Sequence, residues 1–471
     1  MQVKKEVVIN ITEDEQQEYL AYKTYEDVLN SLKEGLEGLE ILDIKKDKKR
    51  TNPTLVCGGM AAFDKELPHF LNEWNKTEHN LFLLSEVTAQ FRRYTDNTIT
   101  FPYICTPHLL AKEMIILNME IPVTEDMILL CKNVEYVREA VENLEMRHNA
   151  LEKGYALMWA YYAYHYINKL LDILAPSKVV LWNEFYAFHH IFGGVCKSRN
   201  IPLYFMEYGC IPGTICIEDI GQQGESIIAR ESEYFSEQKI NLVEYTNAKI
   251  IIKYLKLTGL NRNIQPNIRL GKNMLHRYIP GRKTVAYIGQ NDYESGLCPY
   301  TERSIIYHSP IFKSTLDALE YISILAIKND WNMIYKPHPI MLSLQKELEH
   351  LLADGKADIL EEVNLNSLID FSDLTITILS QSAYIALIRD KPVLMLGYTQ
   401  LKSKKCTYEA FSVAEIENAI HSALKRGYTK MQKKSFLRHV AQLLKYYLYD
   451  DNNGRMLRFG KDINKINLDD I

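Results

Sequence analysis

What this chain of 471 residues lacks narrows its class before any motif is read. No apolar run approaches the ~18 residues that a membrane-spanning helix needs, and the longest, residues 156–164, falls well short. Residues 1–18 are charged and have no apolar core of the kind a signal peptide carries. The eight cysteines are scattered without a single C-x-x-C spacing. That pattern suits reduced thiols in a cytoplasmic protein and provides neither a disulfide framework nor a zinc site. Internal repeats and linkers rich in Pro, Gly or Ser are also missing. A strong charge of one sign is missing too: the formal net charge of -5 argues against nucleic acid as a partner, while leaving room for a local basic groove.

What is present is an ordinary globular composition, 47% hydrophobic and 24% charged, in a chain long enough for two domains. Short apolar runs at residues 54–57, 81–84, 179–182 and 203–206 read as buried strands with helical patterns between them. Residues 125–174 carry apolar side chains at helical spacing and predict two long helices. The aromatic cluster of Trp159, Tyr161, Tyr162, Tyr164 and Tyr166 on them is assigned to the core. A basic, polar interval over residues 261–283 precedes a second alternating series. Strands are predicted at 284–288, 332–335, 374–379 and 392–396, with helices at 314–328, 344–352 and 382–389. Such alternation implies an α/β chain with parallel sheets, which bind ligands at the carboxyl ends of their strands. The expected organisation is a Rossmann-like domain over residues 1–275 with a long helical insertion, and a second Rossmann-like domain over 276–430. A terminal helix in 431–471 packs back on the first domain.

Three polar segments fall just past predicted strands of the second series. Gly289-Gln290-Asn291-Asp292 puts a carboxylate where the ligand crevice is expected. In Lys336-Pro337-His338-Pro339 two prolines stiffen the loop while Lys336 and His338 can donate to phosphate oxygens. Ser380-Gln381-Ser382 stands between a strand and a helix, a setting for hydroxyls and free amides to bind an anion. Taken singly, each has a plain structural explanation as a turn, a common dipeptide or a helix cap; together they describe a diphosphate or phosphodiester pocket.

The first series supplies Trp182-Asn183-Glu184 at one strand end and, at another, Glu207-Tyr208-Gly209-Cys210-Ile211-Pro212-Gly213-Thr214, an irregular loop. The polar run Asp219, Gly221, Glu225, Ser226 and Arg230 that follows reads as a binding loop. Glu207 and Asp292 are two carboxylates beside a phosphate pocket, the combination that glycosyl transfer needs. No D-x-D element stands at a strand end, so no metal or other cofactor is expected, with leaving-group charge met by Lys336, His338 and helix amides.

The order Trp182-Asn183-Glu184, Glu207-x-Gly209-x-x-Pro212-Gly213-Thr214, Gln290-x-Asp292, Lys336-Pro337-His338-Pro339 and Ser380-x-Ser382 resembles bacterial capsular polysaccharide biosynthesis glycosyltransferases, and among them the β-Kdo transferases. The resemblance spans residues 179–397. It implies a GT-B fold of two facing Rossmann-like domains with a deep interdomain cleft, and a CMP-activated donor sugar such as Kdo. Its Lys-Pro-His-Pro element is shared with bacterial sialyltransferases and teichoic-acid glycerophosphotransferases, so it specifies a CMP- or CDP-type donor better than the sugar. By the same resemblance Asp292 is the catalytic carboxylate, a nucleophile in a retaining double displacement, Glu207 is its acid/base partner, and His338 binds the donor phosphate. Lys336, Gln290, Ser380, Gln381 and Ser382 then hold the donor nucleotide and its phosphate. Asn183, Glu184, Gly213, Thr214 and Glu294 line the cleft on the acceptor side, Glu294 being a rival for the acidic role. The implied partners are a nucleotide-sugar donor and a surface glycan or glycolipid acceptor, with peripheral contact at the inner membrane. An inverting sialyltransferase-like enzyme, a CDP-polyol phosphotransferase and a non-catalytic assembly scaffold stay open as alternatives.

Overall fold

The computed structural model describes residues 52–58, 79–85, 98–100, 123–147, 153–339, 357–451 and 457–462. The helix expected at 344–352 lies outside them. The chain divides into two compact units. One takes in the described residues up to Trp182 together with Ala187–Leu203; the other takes in Asn183–Tyr186 and the described residues from Tyr204 onward. Residues 204–275, read in the sequence as the end of the first domain, thus fall in the second unit.

In the first unit, β1 (Asn52–Gly58), β2 (His79–Ser85), β3 (Thr98–Thr100) and β4 (Lys178–Trp182) run in the order β4-β1-β2-β3. All three pairings are parallel, with Leu55 opposite Phe82 and Val179, and Leu84 opposite Ile99. Three helices occupy the stretch read as two: Glu125–Asn133, Glu135–Arg147 and Lys153–Leu174. The extra break is at Val134, whose dihedrals are extended (φ -116°, ψ 105°) although its apolar side chain keeps the helical spacing. Trp159 and Tyr166 are buried, and Trp159 meets Phe188 edge to face at 6.3 Å. These two aromatics belong to the core, as large rings on a helix face usually do.

In the second unit, which takes β5 (Leu203–Tyr208) from Tyr204 onward, that strand pairs antiparallel with β6 (Thr214–Glu218), placing Glu207 opposite Cys216. The other sheet holds β7 (Thr284–Ile288), β8 (Asn332–Lys336), β9 (Asp358–Ile359), β10 (Leu374–Thr377), β11 (Val393–Met395) and β12 (Tyr408–Glu409). Its order is β12-β11-β10-β7-β8-β9 and every pairing is parallel. All residues of β7, β8, β10 and β11 are buried, which is why the sequence shows them as near-continuous apolar runs. The mixed α/β class with parallel sheets is as expected. Strand order reverses between β7 and β10, so the crevice beyond their carboxyl ends is the natural ligand position.

A helix pair closes this unit on another side. Leu242–Thr258 opens with a capping box from Asn241 and Glu244 and ends at Gly259 in the left-handed region (φ +66°). Lys430–Tyr446 opens with a second capping box, from Thr429 and Gln432. The two helices pack together, Phe436, Val440, Leu443 and Leu444 sharing one core with Ala248, Ile251 and Leu255. A last short strand, β13 (Tyr449–Asp450), then pairs antiparallel with β6.

Candidate functional site

A cavity of about 290 Å³ opens at the carboxyl ends of β7, β8 and β10. All its lining residues belong to the second unit. Asn183, Glu207, Gly209, Gln223 and residues 261–266 form one wall; Gln290, Asn291, Glu294, Lys336, His338 and residues 379–382 form another. At this volume the cavity sits at the small end of ligand pockets.

Glu207, near the end of β5, is buried, and its Oε1 lies 3.9 Å from Arg262 Nη2. Burial pushes its carboxyl up to about 7; the Arg262 charge pulls the other way, while Glu184 and Glu294 add to the rise. Arg262 is held on three sides, with its guanidinium 4.1 Å from the Tyr208 ring centroid and Nη1 donating to Gln381 Oε1 at 3.2 Å. The sequence reading placed Arg262 in a domain boundary. The signal that could have found it was the basic character of that interval, beside Asn and Pro residues that suit a loop.

Four side chains on the cavity wall bury polar atoms that have no hydrogen-bond partner: Gln223 Oε1, both amide atoms of Asn261, Asn291 Nδ2 and Ser382 Oγ. Leaving such groups unsatisfied costs about 1–3 kcal/mol each, and here they converge on one space. Lys336, at the end of β8, is largely buried, donates from Nζ to the Glu361 carbonyl at 2.9 Å and has its pKa lowered by desolvation. His338 lines the same cavity. Ser380 Oγ accepts from the Ser382 amide at 3.2 Å, so the first amide of the seven-residue helix Ser382–Ile388 is capped within the loop. Gln290 Oε1 accepts from the Leu379 amide at 2.6 Å, tying the end of β7 to the end of β10.

Asp292 departs from its expected position. It is absent from the cavity wall, and its carboxylate turns to the start of the helix Thr315–Lys328. Oδ2 accepts from the Thr315 amide at 2.8 Å, and Oδ1 accepts from the Thr315 hydroxyl at 2.6 Å and from Gln290 at 3.2 Å. Burial raises its carboxyl to about 6 against these three donors. The reason is local: free amides at a helix start attract a carboxylate more strongly than an open crevice does. Glu294, two residues on, lines the cavity instead.

The remaining expected residues divide. Asn183 lines the cavity, its Nδ2 donating to the Glu294 carbonyl at 3.2 Å. Glu184 is buried off the wall, accepting from the Gln222 amide at 3.0 Å and from Arg303 Nη2 at 2.7 Å. Arg303 also grips Glu225 at 2.7 and 2.9 Å, and His308 Nε2 meets the same carboxylate at 2.9 Å. Burial opposes ionisation of Glu225, but the His308 hydrogen bond and the Arg303 charge prevail and hold its carboxyl well below the usual range. Glu225, read in the sequence as part of a binding loop, is therefore an internal brace. Gly213 and Thr214 also stand off the wall and shape the loop: Gly213 is left-handed (φ +85°), and the Thr214 hydroxyl donates to the Ile211 carbonyl at 2.6 Å. A Cβ on Gly209 would lie 2.0 Å from Thr214 Oγ1, so this close approach admits only glycine.

No curated protein matches the sequence. Solved structures similar to the chain include two from Thermosulfurimonas dismutans KpsC. The β-Kdo 2,7 transferase is 18% identical, with 60% of this chain and 80% of that one covered and a TM-score of 0.38. The β-Kdo 2,4 transferase is 14% identical over 56% of this chain and 79% of that one, with a TM-score of 0.39. A UDP-GlcNAc 2-epimerase from Neisseria meningitidis bound to UDP-GlcNAc is 12% identical over 81% and 94%, with a TM-score of 0.36. Residues 297–431, the stretch that contributes Lys336, His338 and Ser382 to the cavity, match the family of capsule polysaccharide biosynthesis proteins.

Proposed function

We propose that this chain is a glycosyltransferase of capsule polysaccharide synthesis, moving an acidic sugar such as Kdo from a CMP-activated donor to a hydroxyl of a surface glycan or glycolipid. The observation that carries the reading is the convergence of four side chains with buried, unpartnered polar atoms on a cavity that also holds Arg262, Lys336, His338 and Glu207. A polar ligand with several acceptors and donors and a negative charge satisfies that set; an apolar one leaves it unpaired. The family match over residues 297–431 supports the place in capsule synthesis.

In this reading the bond from the anomeric carbon to the phosphate oxygen breaks and CMP leaves with the electron pair. Lys336 and His338 meet the phosphate charge, and Arg262 meets a carboxylate on the donor sugar. The acceptor oxygen bonds to the anomeric carbon and gives its proton to Glu207, whose carboxyl near 7 suits proton transfer at neutral pH. Glu294 is the second carboxylate on the wall, and it takes the nucleophile's role if the product retains the anomeric configuration. Asp292 supports the site from behind through Thr315 and Gln290. The leaving group needs no metal in this scheme, so transfer should survive a chelator.

The test is a thermal-shift comparison of CMP and UDP, followed by assay of CMP-Kdo with anomeric analysis of the product. A larger rise in melting temperature with CMP and transfer from CMP-Kdo in the presence of a chelator are the expected results. Stabilisation by UDP alone would replace the donor class, and indifference to both nucleotides would overturn the reading.

A further inference from the structure

Two features stand together on the helix pair Leu242–Thr258 and Lys430–Tyr446. Its charge is segregated. The second helix has five lysines and arginines and no acidic residue, and the first has Lys249, Lys253 and Lys256 against Glu244 alone. The whole chain is acidic, at -5. Ion pairs within the protein use only some of these cations: Lys256 and Lys433 pair with Asp390, and Lys445 with Glu244. Lys249, Lys253, Lys430 and Lys434 form no ion pair among the described residues.

The second feature is apolar. Val243, Ile250 and Leu257 recur every seven residues and so share one helix face, and they are 76%, 50% and 77% exposed. Leu242 is 80% exposed and Met431, on the partner helix, 73%. Ala248, Ile251 and Leu255 bury the opposite face, so this stripe is spare to the core. An apolar stripe beside unpaired lysines is the pattern of a helix that lies in a membrane interface, where acyl chains take the stripe and anionic headgroups the lysines.

We infer that the helix pair Leu242–Thr258 and Lys430–Tyr446 docks this protein on an anionic lipid surface. The chain leaves the first helix at Gly259 and within a few residues enters the cavity wall, where residues 261–266 include Arg262 and Ile264, the latter 91% exposed. Docking therefore brings the cavity wall to the lipid surface. The inference stands apart from the transferase reading, since it concerns binding alone.

The experiment is flotation of the full chain with vesicles of phosphatidylcholine, with and without phosphatidylglycerol. Binding to the anionic vesicles only, weakened by added salt, is expected for the parent. Lys249→Gln with Lys253→Gln should weaken binding roughly fivefold per lysine. Val243→Ser with Leu257→Ser should also lose most of it, with melting temperature unchanged in both doubles. Absence of flotation, or equal flotation with uncharged vesicles, overturns the inference. So does full binding to the anionic vesicles by both doubles, because the lipid contact then lies away from this helix pair. The salt series on the parent stands even where a variant fails to fold.

Discussion

Glu207 Oε1 and Arg262 Nη2 stand 3.9 Å apart on the wall of the cavity, and the Arg262 charge acts directly on the Glu207 carboxyl. Burial raises the Glu207 carboxyl to about 7, and Arg262 limits that rise. Between about 4.5, the ordinary value, and about 7 the folded chain keeps a proton that the unfolded chain has released. Stability therefore falls as pH rises through this window, by roughly 3 kcal/mol in all. Glu207→Gln cannot ionise and escapes the loss. Its melting temperature relative to the parent should climb by about 5 °C or more between pH 5 and pH 8, while transfer is lost and CMP binding kept. Parallel melting curves for the two proteins across pH would show that Glu207 is not buried as described.

Arg262→Gln should act on both partners of that pair. Removing the one charge that lowers the Glu207 carboxyl moves the pH–rate limb governed by this group above 7. Affinity for an anionic donor should drop by roughly 10- to 100-fold, the value of a charge-assisted hydrogen bond. Arg262→Lys keeps the charge but not the fork that reaches Gln381 or the stacking on Tyr208, so it should recover the limb and only part of the affinity. An unshifted limb in Arg262→Gln would uncouple the two residues.

The parallel sheet was legible because strands buried on both faces leave an unbroken apolar run. Residues 284–288 were read as a strand with the same limits the structure shows. The break at Val134 was not, since an apolar residue at helical spacing hides a single extended set of dihedrals. Lys336, His338 and Ser382 were found because each follows a strand end, a rule that needs only local sequence. Asp292 obeyed that rule in position but not in direction, because its partner Thr315 comes from a helix start that the sequence does not place beside it. Arg262 was missed for a related reason. Its contact Gln381 lies 119 residues along the chain, and nothing near Arg262 marks it as more than loop.

Asp292→Ala should unfold more easily than the parent. It strips the Thr315 amide and hydroxyl of their acceptor and frees the buried Gln290 amide. The loss should be about 1–3 kcal/mol, or a few degrees in melting temperature. Asp292→Asn keeps one acceptor oxygen and should lose less. Activity measured well below the melting point separates support from chemistry: substantial transfer by Asp292→Asn is expected. Complete loss of transfer in a variant that melts like the parent would return the catalytic carboxylate to Asp292.

Ser382→Ala tests the unpartnered groups themselves. The Ser382 hydroxyl is buried without a hydrogen bond, so the free protein bears a desolvation cost that alanine removes. Removing the hydroxyl at this position should raise the melting temperature of the free protein slightly, by the equivalent of about 1 kcal/mol. The same change should shrink the thermal shift produced by saturating CMP, because the ligand loses a contact that repaid the cost. Opposite signs in the two measurements are what a ligand-facing hydroxyl requires. A variant less stable than the parent in both states would make Ser382 a packing residue, and one with an unchanged CMP shift would remove it from the binding site.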